Sequence, residues 1–166
     1  MDIQVYHAAD RDGAAIKTYL TDLRAEAPDT LRQRPPPGPG EIESWLASKL
    51  VLDRSFVLAA FDGGAVVGLL DLQAGQRSDN RHAARFGVSV GRAFRARGIG
   101  RKLIECALVE AKAWPELCRV ELECVSWNTS GLALYQSLGF EVEGIKRKGV
   151  NFRGQPEDDV LMAMVW

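Results

Sequence analysis

A change from strand-like to helix-like spacing near the middle of the chain constrains the fold more than any other stretch. Phe86, Val88 and Val90 alternate with small or polar residues, as in a β-strand, and this run stops at Gly91. From Ile99 onward, apolar residues recur at the spacing of a helix that packs on one face. The sequence therefore predicts a strand that leads through a turn into the N-terminus of a helix.

The predicted helix N-terminus is suited to bind an anion. The first backbone amides of a helix have no acceptor within the helix, and the helix dipole places partial positive charge there. Gly98 and Gly100 leave these amides uncovered. The cationic residues around them are Arg92, Arg95, Arg97, Arg101 and Lys102. We therefore expect a pyrophosphate here. Leu103 replaces the third glycine of the dinucleotide fingerprint, and the Walker string is absent.

Residues 95–100 read Arg-Ala-Arg-Gly-Ile-Gly, and this Arg-x-x-Gly-x-Gly string resembles the acetyl-CoA signature of the GCN5-related N-acetyltransferases (GNAT). Residues 128–140 read Asn-Thr-Ser-Gly-Leu-Ala-Leu-Tyr-Gln-Ser-Leu-Gly-Phe, which closely matches the other signature of that family. Gly131 stands where alanine is usual, at a slight cost to the helix. The resemblance runs through Phe140 and implies acetyl transfer from acetyl-CoA to a primary amine by direct attack in a ternary complex.

The resemblance also implies which residues bind the coenzyme. The turn amides would hold the pyrophosphate, and the preceding strand would separate from its neighbour so that its backbone bonds the pantetheine arm. Asn128 would bind this arm, cap a helix, or do both. The predicted coenzyme-binding residues are Val88, Ser89, Val90, Arg95, Ala96, Arg97, Gly98, Ile99, Gly100, Arg101, Asn128 and Tyr135. A solvated basic loop that merely caps a helix is the alternative, and the second signature argues against it.

Two catalytic residues are predicted. The resemblance places Tyr135 beside the coenzyme sulfur, where its phenol can donate a proton to the leaving thiolate; its alternative role is a packed core aromatic. Glu123 lies five residues before Asn128, the position of the base in ribosomal-protein N-terminal acetyltransferases, and can take the proton of the amine. Glu121 has the same side-chain direction and competes for this role. In a third alternative, water removes the proton and both glutamates serve the substrate's positive charge or pair with an arginine.

The other patterns predict an α/β (α+β) fold with the GNAT architecture: a mixed, mostly antiparallel central sheet of about seven strands and about four flanking helices. Asp10 is a candidate N-cap for the first helix, and residues 62–65 predict a hairpin turn. Residues 146–154 predict a basic loop before a last strand at 160–166. Prolines make residues 32–40 a stiff loop that either shapes the entry of the acceptor or is a length variation without function.

The C-terminal part adds a looser resemblance. Glu143-Gly144, a basic loop, Gly154, Asp159 and Met162-Ala163 follow the pattern of the acetyltransferase subgroup that modifies amino acids, small amines or ribosomal N-termini. Two other kinds of function stay open. A coenzyme-A-binding sensor without turnover would keep the fold, although Tyr135 and a strand glutamate favour an enzyme. A nucleic-acid module lacks the overall basic charge and the aromatic platforms that it needs.

Composition narrows the class of protein. With 166 residues, 46% hydrophobic and 26% charged, the chain is expected to form one soluble domain over residues 1–166. Its net charge of −1 argues against a general nucleic-acid or membrane-surface binder. No apolar run reaches the roughly 18 residues of a membrane span, and no targeting pattern is recognised, so a cytoplasmic protein is expected. The oligomeric state stays open, with a homodimer as one possibility.

The cysteines and histidines give no metal-ligand pattern. Cys106, Cys118 and Cys124 lack Cys-x-x-Cys spacing, which favours free thiols in a reducing compartment. His7 and His82 lie far apart in the sequence and have no partners at ligand spacing. We therefore predict no metal site and expect acetyl-CoA to be the only co-substrate besides the amine.

Overall fold

The computed structural model describes residues 2–26, 38, 40–152 and 154–166. Its strands are β1 (Gln4–His7), β2 (Ser55–Asp62), β3 (Ala65–Ala74), β4 (Ala83–Val90), β5 (Arg119–Val125), β6 (Glu141–Phe152) and β7 (Gln155–Val165). Its α-helices are α1 (Gly13–Ala25), α2 (Glu41–Val51), α3 (Ile99–Lys112) and α4 (Thr129–Ser137). Single turns of 3₁₀ helix cover Asp10–Asp12 and Arg92–Phe94. The predicted α/β class, with about seven strands and about four helices, is confirmed.

The seven strands form one mixed sheet in the order β1-β2-β3-β4-β5-β7-β6. All neighbouring strands are antiparallel except β4 and β5, which are parallel. Parallel neighbours need a crossover connection, and α3 supplies it here. The prediction of a mixed, mostly antiparallel sheet is therefore confirmed, and the one parallel pair lies at its centre.

The pairing of β4 with β5 stops early. In the described ranges, it runs only from Ala83 opposite Arg119 to Arg85 opposite Glu121. Beyond that point β4 stays bonded to β3, and β5 stays bonded to β7. The facing edges of residues 86–90 and 122–125 therefore have no partner strand. The Val90 and Val125 carbonyl oxygens accept hydrogen bonds from Arg95 Nε and the Asn128 amide, and the other backbone groups that point into this opening are available to a ligand. We call this opening the fork.

Helices cover the two faces of the sheet. α3 and α4 pack over one core, which includes Leu70, Leu72, Leu103, Ile104 and Val120. α1 and α2 pack over the other, which includes Ile16, Leu23, Ile42, Leu46 and Val57. We call these sides the α3 face and the α1 face. Because side chains alternate along a strand, Phe86, Val88 and Val90 lie on the α3 face, whereas residues 85, 87 and 89 lie on the α1 face.

Two N-terminal predictions have different outcomes. Gly63 and Gly64 have φ values of 57° and 88°, so the hairpin turn between β2 and β3 is confirmed. Asp10 does not cap α1: it lies in the 3₁₀ turn, and Asp12 occupies the N-cap position. The Asp12 carboxylate instead accepts a hydrogen bond from the Ala9 amide at 2.9 Å. A 3₁₀ turn at Asp10–Asp12 therefore directly precedes α1.

The prediction of a basic loop at residues 146–154 is wrong. β6 continues to Phe152 with an irregular register between Lys146 and Val150, and β7 begins at Gln155. Pairing between the two strands overrides the local preference of a glycine-containing basic segment. The predicted proline loop lies outside the described residues except for Gly38 and Gly40.

The described residues contain no α-helix with the length and hydropathy of a membrane span. Within the same ranges, no group of three His, Cys, Asp or Glu side chains could hold a metal ion. In the described residues, Cys106, Cys118 and Cys124 form no disulfide bond, and Cys124 lies in the core.

Candidate active site

The turn before α3 leaves backbone amides open at the helix N-terminus. Gly98 is the N-cap residue and has a left-handed φ of 80°, which costs glycine little and strains a residue with a Cβ. The Lys102 amide donates to the Gly98 carbonyl oxygen at 3.0 Å, as the first bond of the helix. The amides of residues 99–101 therefore have no acceptor within the helix, as an anion site requires.

Gly100 lies close to side chains of β4 and α4. A Cβ at this position would lie 3.5 Å from Leu134 Cδ2 and 3.7 Å from Val90 Cγ2. A methyl group would make ordinary contacts there, but a larger side chain would press on these two residues. Glycine at 98 thus serves the turn, whereas glycine at 100 leaves no side chain between the helix N-terminus and its neighbours Val90 and Leu134.

Arg95 is bonded within the protein. Its Nε donates to the Val90 carbonyl oxygen at 2.9 Å, and a terminal nitrogen donates to Glu26 Oε2 at 3.0 Å. Glu26 also accepts a hydrogen bond from the Arg92 amide at 2.9 Å. These bonds hold the turn that follows β4 against the C-terminal end of α1. Arg95 therefore stabilises the predicted coenzyme site through contacts within the protein.

The other predicted residues of the turn differ in what they can offer. The Ile99 side chain is buried, which leaves its backbone for binding. Arg101 donates to Ser137 Oγ and forms an ion pair with Glu105 at 3.4 Å. Arg97 lies with its guanidinium carbon 5.7 Å from the centre of the Phe94 ring. Ala96 and Gly98 are exposed. Backbone amides are thus the common element of the site.

Ser89, in the open part of β4, connects this strand to α1. Its Oγ accepts a hydrogen bond from the Tyr19 hydroxyl at 3.0 Å. Burial raises the pKa of Tyr19 well above its ordinary value, although the bond to Ser89 acts in the opposite direction. Tyr19 could not be predicted from the sequence, because an aromatic residue on the buried face of a helix has no local feature that marks a contact 70 residues away.

Asn128 caps α4, as predicted. Its Oδ1 accepts a hydrogen bond from the Gly131 amide at 3.1 Å. A Cβ on Gly131 would lie 2.5 Å from Asn128 Nδ2, so alanine at 131 would displace the cap. The glycine that departs from the family pattern therefore fits this cap. Because the cap uses Oδ1, the side-chain NH₂ can still donate to a ligand.

Tyr135 lies beside the open part of β4 on the α3 face. Its ring centre is 6.1 Å from that of Phe86 and 6.2 Å from that of Phe140, both in edge-to-face contact. Burial raises the pKa of Tyr135 well above its ordinary value, and the nearby Cys124 thiol adds to this effect. The phenol therefore stays protonated at neutral pH and can act only as a proton donor there.

The two predicted strand carboxylates have different surroundings. Glu121 accepts hydrogen bonds from Arg85 Nε and, at 2.9 Å, from Arg119 Nε. Burial acts to raise the pKa of Glu121, but these two guanidinium groups lower it overall. Glu123 accepts a hydrogen bond from Lys146 Nζ at 2.8 Å. Both carboxylates lie on the α1 face, opposite Tyr135.

A cavity of about 480 Å³ opens on the α1 face at the closed end of the fork. Its walls include Lys49, Asp71, Gln73, Arg85, Phe86 and Glu121. The cavity residues from α2 and β3 could not be predicted from the sequence, because they come together only in the folded protein. The fork is thus bordered by Tyr135 on one face and by a charged cavity on the other.

The chain belongs to the acetyltransferase (GNAT) family, whose sequence model matches residues 18–140. It is 29% identical over 164 residues to the L-amino acid N-acetyltransferase AaaT of Escherichia coli (strain K12), covering 99% of this chain and 98% of that protein. A GNAT acetyltransferase from Streptococcus pneumoniae has a TM-score of 0.90 at 26% identity, covering 99% of this chain and 100% of the other. The putative acetyltransferase yncA of Salmonella typhimurium, solved with acetyl-CoA, has a TM-score of 0.87 at 20% identity, covering 99% and 94%.

These findings confirm the GNAT fold and an acetyl-CoA-dependent N-acetyltransferase activity. None of them favours the coenzyme-A-binding sensor. The described residues also fit acetyl-CoA. The open amides of the turn suit its pyrophosphate, and the unpaired edges of the fork suit the two amide groups of its pantetheine arm. The positions of individual coenzyme-binding residues stay predictions.

We predict that Gly100→Val abolishes acetyl-CoA binding, because the valine side chain would cover the open amides of the turn and press on Val90 and Leu134. Isothermal titration with acetyl-CoA and the ligand-induced rise in melting temperature measure the loss. Gly13→Val, at the start of α1, is the matched control, since a Cβ there meets nothing within 4 Å. A folded Gly100→Val protein that acetyl-CoA stabilises as much as wild type would place the coenzyme elsewhere.

Proposed function

We propose that this enzyme acetylates the α-amino group of a free amino acid by direct transfer from acetyl-CoA. The full-length similarity to an L-amino acid N-acetyltransferase carries this assignment, because it spans the acceptor-side helices α1 and α2 as well as the coenzyme turn. The surroundings of the fork support it. Cations and carboxylates alternate on the α1 face, which suits a substrate that carries an ammonium and a carboxylate together.

The fork positions the two substrates in the proposed reaction. Acetyl-CoA supplies the acetyl group as an activated thioester. The backbone of residues 88–90 lines the fork, and an N–H group there that faces the thioester carbonyl would stabilise negative charge on its oxygen. The amine would approach from the α1 face, where the cavity opens at the closed end of the fork.

Tyr135 is the proposed general acid. Its phenol borders the open part of β4, and burial keeps it protonated. It would donate this proton to the thiolate as the sulfur leaves. Tyr135 lies on the α3 face, whereas the amine would enter from the α1 face. The proton donor and the amine would therefore lie on opposite sides of the sheet.

Glu123 is the proposed general base. Glu121 competes for this role, but two guanidinium groups hold its carboxylate and lower its pKa, which makes it a poorer proton acceptor. Glu123 lies on the same face of β5, two residues farther along the strand, in the part that is not paired with β4. Its bond to Lys146 orients the carboxylate. Glu123 would take the proton directly or through a water molecule.

The acceptor assignment predicts a preference for free amino acids. We expect kcat/KM for the best L-amino acid to exceed that for its decarboxylated amine and for its methyl ester by tenfold or more, because each analogue lacks the carboxylate charge. Release of the coenzyme A thiol measures the rates across the twenty L-amino acids, these analogues and a peptide with a free N-terminal alanine. Preference for the peptide or for the amines would overturn the assignment.

Replacing Tyr135 with phenylalanine tests the proposed acid. Tyr135→Phe keeps the ring contacts and removes the proton, so kcat should fall about a hundredfold or more while the KM for acetyl-CoA changes little. Tyr6→Phe, in β1, is the matched control and should keep full activity. A Tyr135→Phe enzyme with wild-type kcat and melting temperature would show that Tyr135 is only a core aromatic.

Glu123→Gln tests the proposed base through the pH profile. Without a base, the rate depends on the fraction of acceptor that is already deprotonated, and this fraction grows with pH. We therefore expect the loss of kcat/KM to be largest at low pH and to shrink as pH rises. Glu121→Gln is the matched control. If Glu123→Gln keeps the wild-type profile, proton removal belongs to Glu121 or to water, and the Glu121→Gln profile distinguishes these two.

A further inference from the structure

We propose that the cavity on the α1 face is the acceptor subsite for a zwitterionic amino acid, in which Asp71 binds the ammonium group and Arg85 binds the carboxylate. This inference rests on the proposed function and deepens it, because it assigns substrate recognition to residues of β3 and β4 that carry no part of the acid or base chemistry. The same arrangement would explain why the enzyme selects a free amino acid.

Asp71 reaches the backbone of the fork because its partner residue is a glycine. Asp71 and Gly87 are direct neighbours in the β3–β4 ladder. A Cβ on Gly87 would lie 3.2 Å from Asp71 Oδ1, so this oxygen stands next to a position without a side chain. Gly87 belongs to the part of β4 that has no partner strand on its β5 side. An ammonium group bound to Asp71 would therefore lie close to the strand that borders the coenzyme.

Lys49 fixes the orientation of this carboxylate. Lys49 Nζ forms an ion pair with Asp71 Oδ2 at 2.9 Å and donates to Gln73 Oε1 at 2.9 Å. The Lys49 side chain is 13% exposed, so this arrangement is well enclosed. With Oδ2 bonded to lysine, Oδ1 is the oxygen that faces Gly87 and can receive an ammonium group.

Arg85 is placed to bind the other end of the same substrate. It lies two residues before Gly87 on the same face of β4, which corresponds to about 7 Å along the strand. Its Nε is bonded to Glu121, which anchors the side chain, and its side chain is 73% exposed. The terminal guanidinium nitrogens can therefore pair with a carboxylate in the cavity in a bidentate arrangement.

The charge and size of the cavity agree with this assignment. The charged residues that line it in the described chain are Lys49, Arg85, Asp71 and Glu121, two cations and two anions. A balanced set of this kind favours a zwitterion over a substrate of a single charge. The volume of about 480 Å³ lies within the usual range for small-molecule sites, about 300–1,000 Å³.

Two substitutions separate the two ends of the substrate. We expect Arg85→Gln to raise the KM of the best L-amino acid tenfold or more and to leave the KM of its decarboxylated amine within twofold. Asp71→Asn should raise the KM of both substrates, because both carry the ammonium group. The KM for acetyl-CoA should stay unchanged in each variant. Steady-state thiol-release assays give all of these values.

Arg77 and Asp79 provide matched controls, since they form an exposed ion pair outside the cavity. Arg77→Gln and Asp79→Asn should keep wild-type kinetics. If Asp71→Asn does not fold, the exposed Arg85→Gln variant alone decides the proposal. An enzyme that acetylates a free amino acid with an unchanged KM in Arg85→Gln overturns this inference and leaves the proposed function standing. A wild-type enzyme that acetylates no free amino acid overturns both.

Discussion

The parallel pairing of β4 with β5, and its end after Arg85 and Glu121, is the constraint on which the rest of the site depends. A parallel pair requires a crossover, and the crossover places the N-terminus of α3 next to the end of β4. The early end of the pairing leaves two backbone edges open in the middle of the sheet. The open amides of the α3 N-terminus thus follow the unpaired edge of β4 along the chain, an arrangement that suits a coenzyme with a pyrophosphate at one end and amides along its arm.

The α1 helix and its C-cap residue contact both the open part of β4 and the turn before α3. Tyr19 donates a hydrogen bond to Ser89 in the open part of β4, and Glu26 holds both the Arg95 side chain and the Arg92 amide at the turn. A side-chain hydrogen bond of this kind contributes about 1 kcal/mol to stability. The larger effect of these hydrogen bonds is on geometry, because they hold the open part of β4 and the glycine turn against the same helix. Contacts from α1 therefore help to fix the shape of the candidate site.

Local features of the sequence were enough to predict two helix ends but not the residues that line the cavity. Gly98 and Asn128 occupy helix ends, where the residue type follows from the backbone, and the structure confirms both as N-cap residues. Asp71 and Lys49 are brought together by sheet register and helix packing, which no nearby residue encodes. The extension of β6 beyond Lys146 was missed for the same reason, because pairing with β7 outweighs the loop-like composition.

Selectivity in the proposed acceptor site would come from groups that a wrong substrate leaves without a partner. Glu121 is already held by Arg85 and Arg119, so its charge is balanced before any substrate binds. Asp71 Oδ1 differs, because its closest fixed neighbour across the ladder is a glycine. An acceptor without an ammonium group would displace water from this oxygen and return no hydrogen bond. Lys49 already balances the charge of Asp71 through Oδ2, but an Oδ1 acceptor that is left without a donor costs more than a good contact returns. The cavity would therefore reject such molecules more strongly than it attracts the right one.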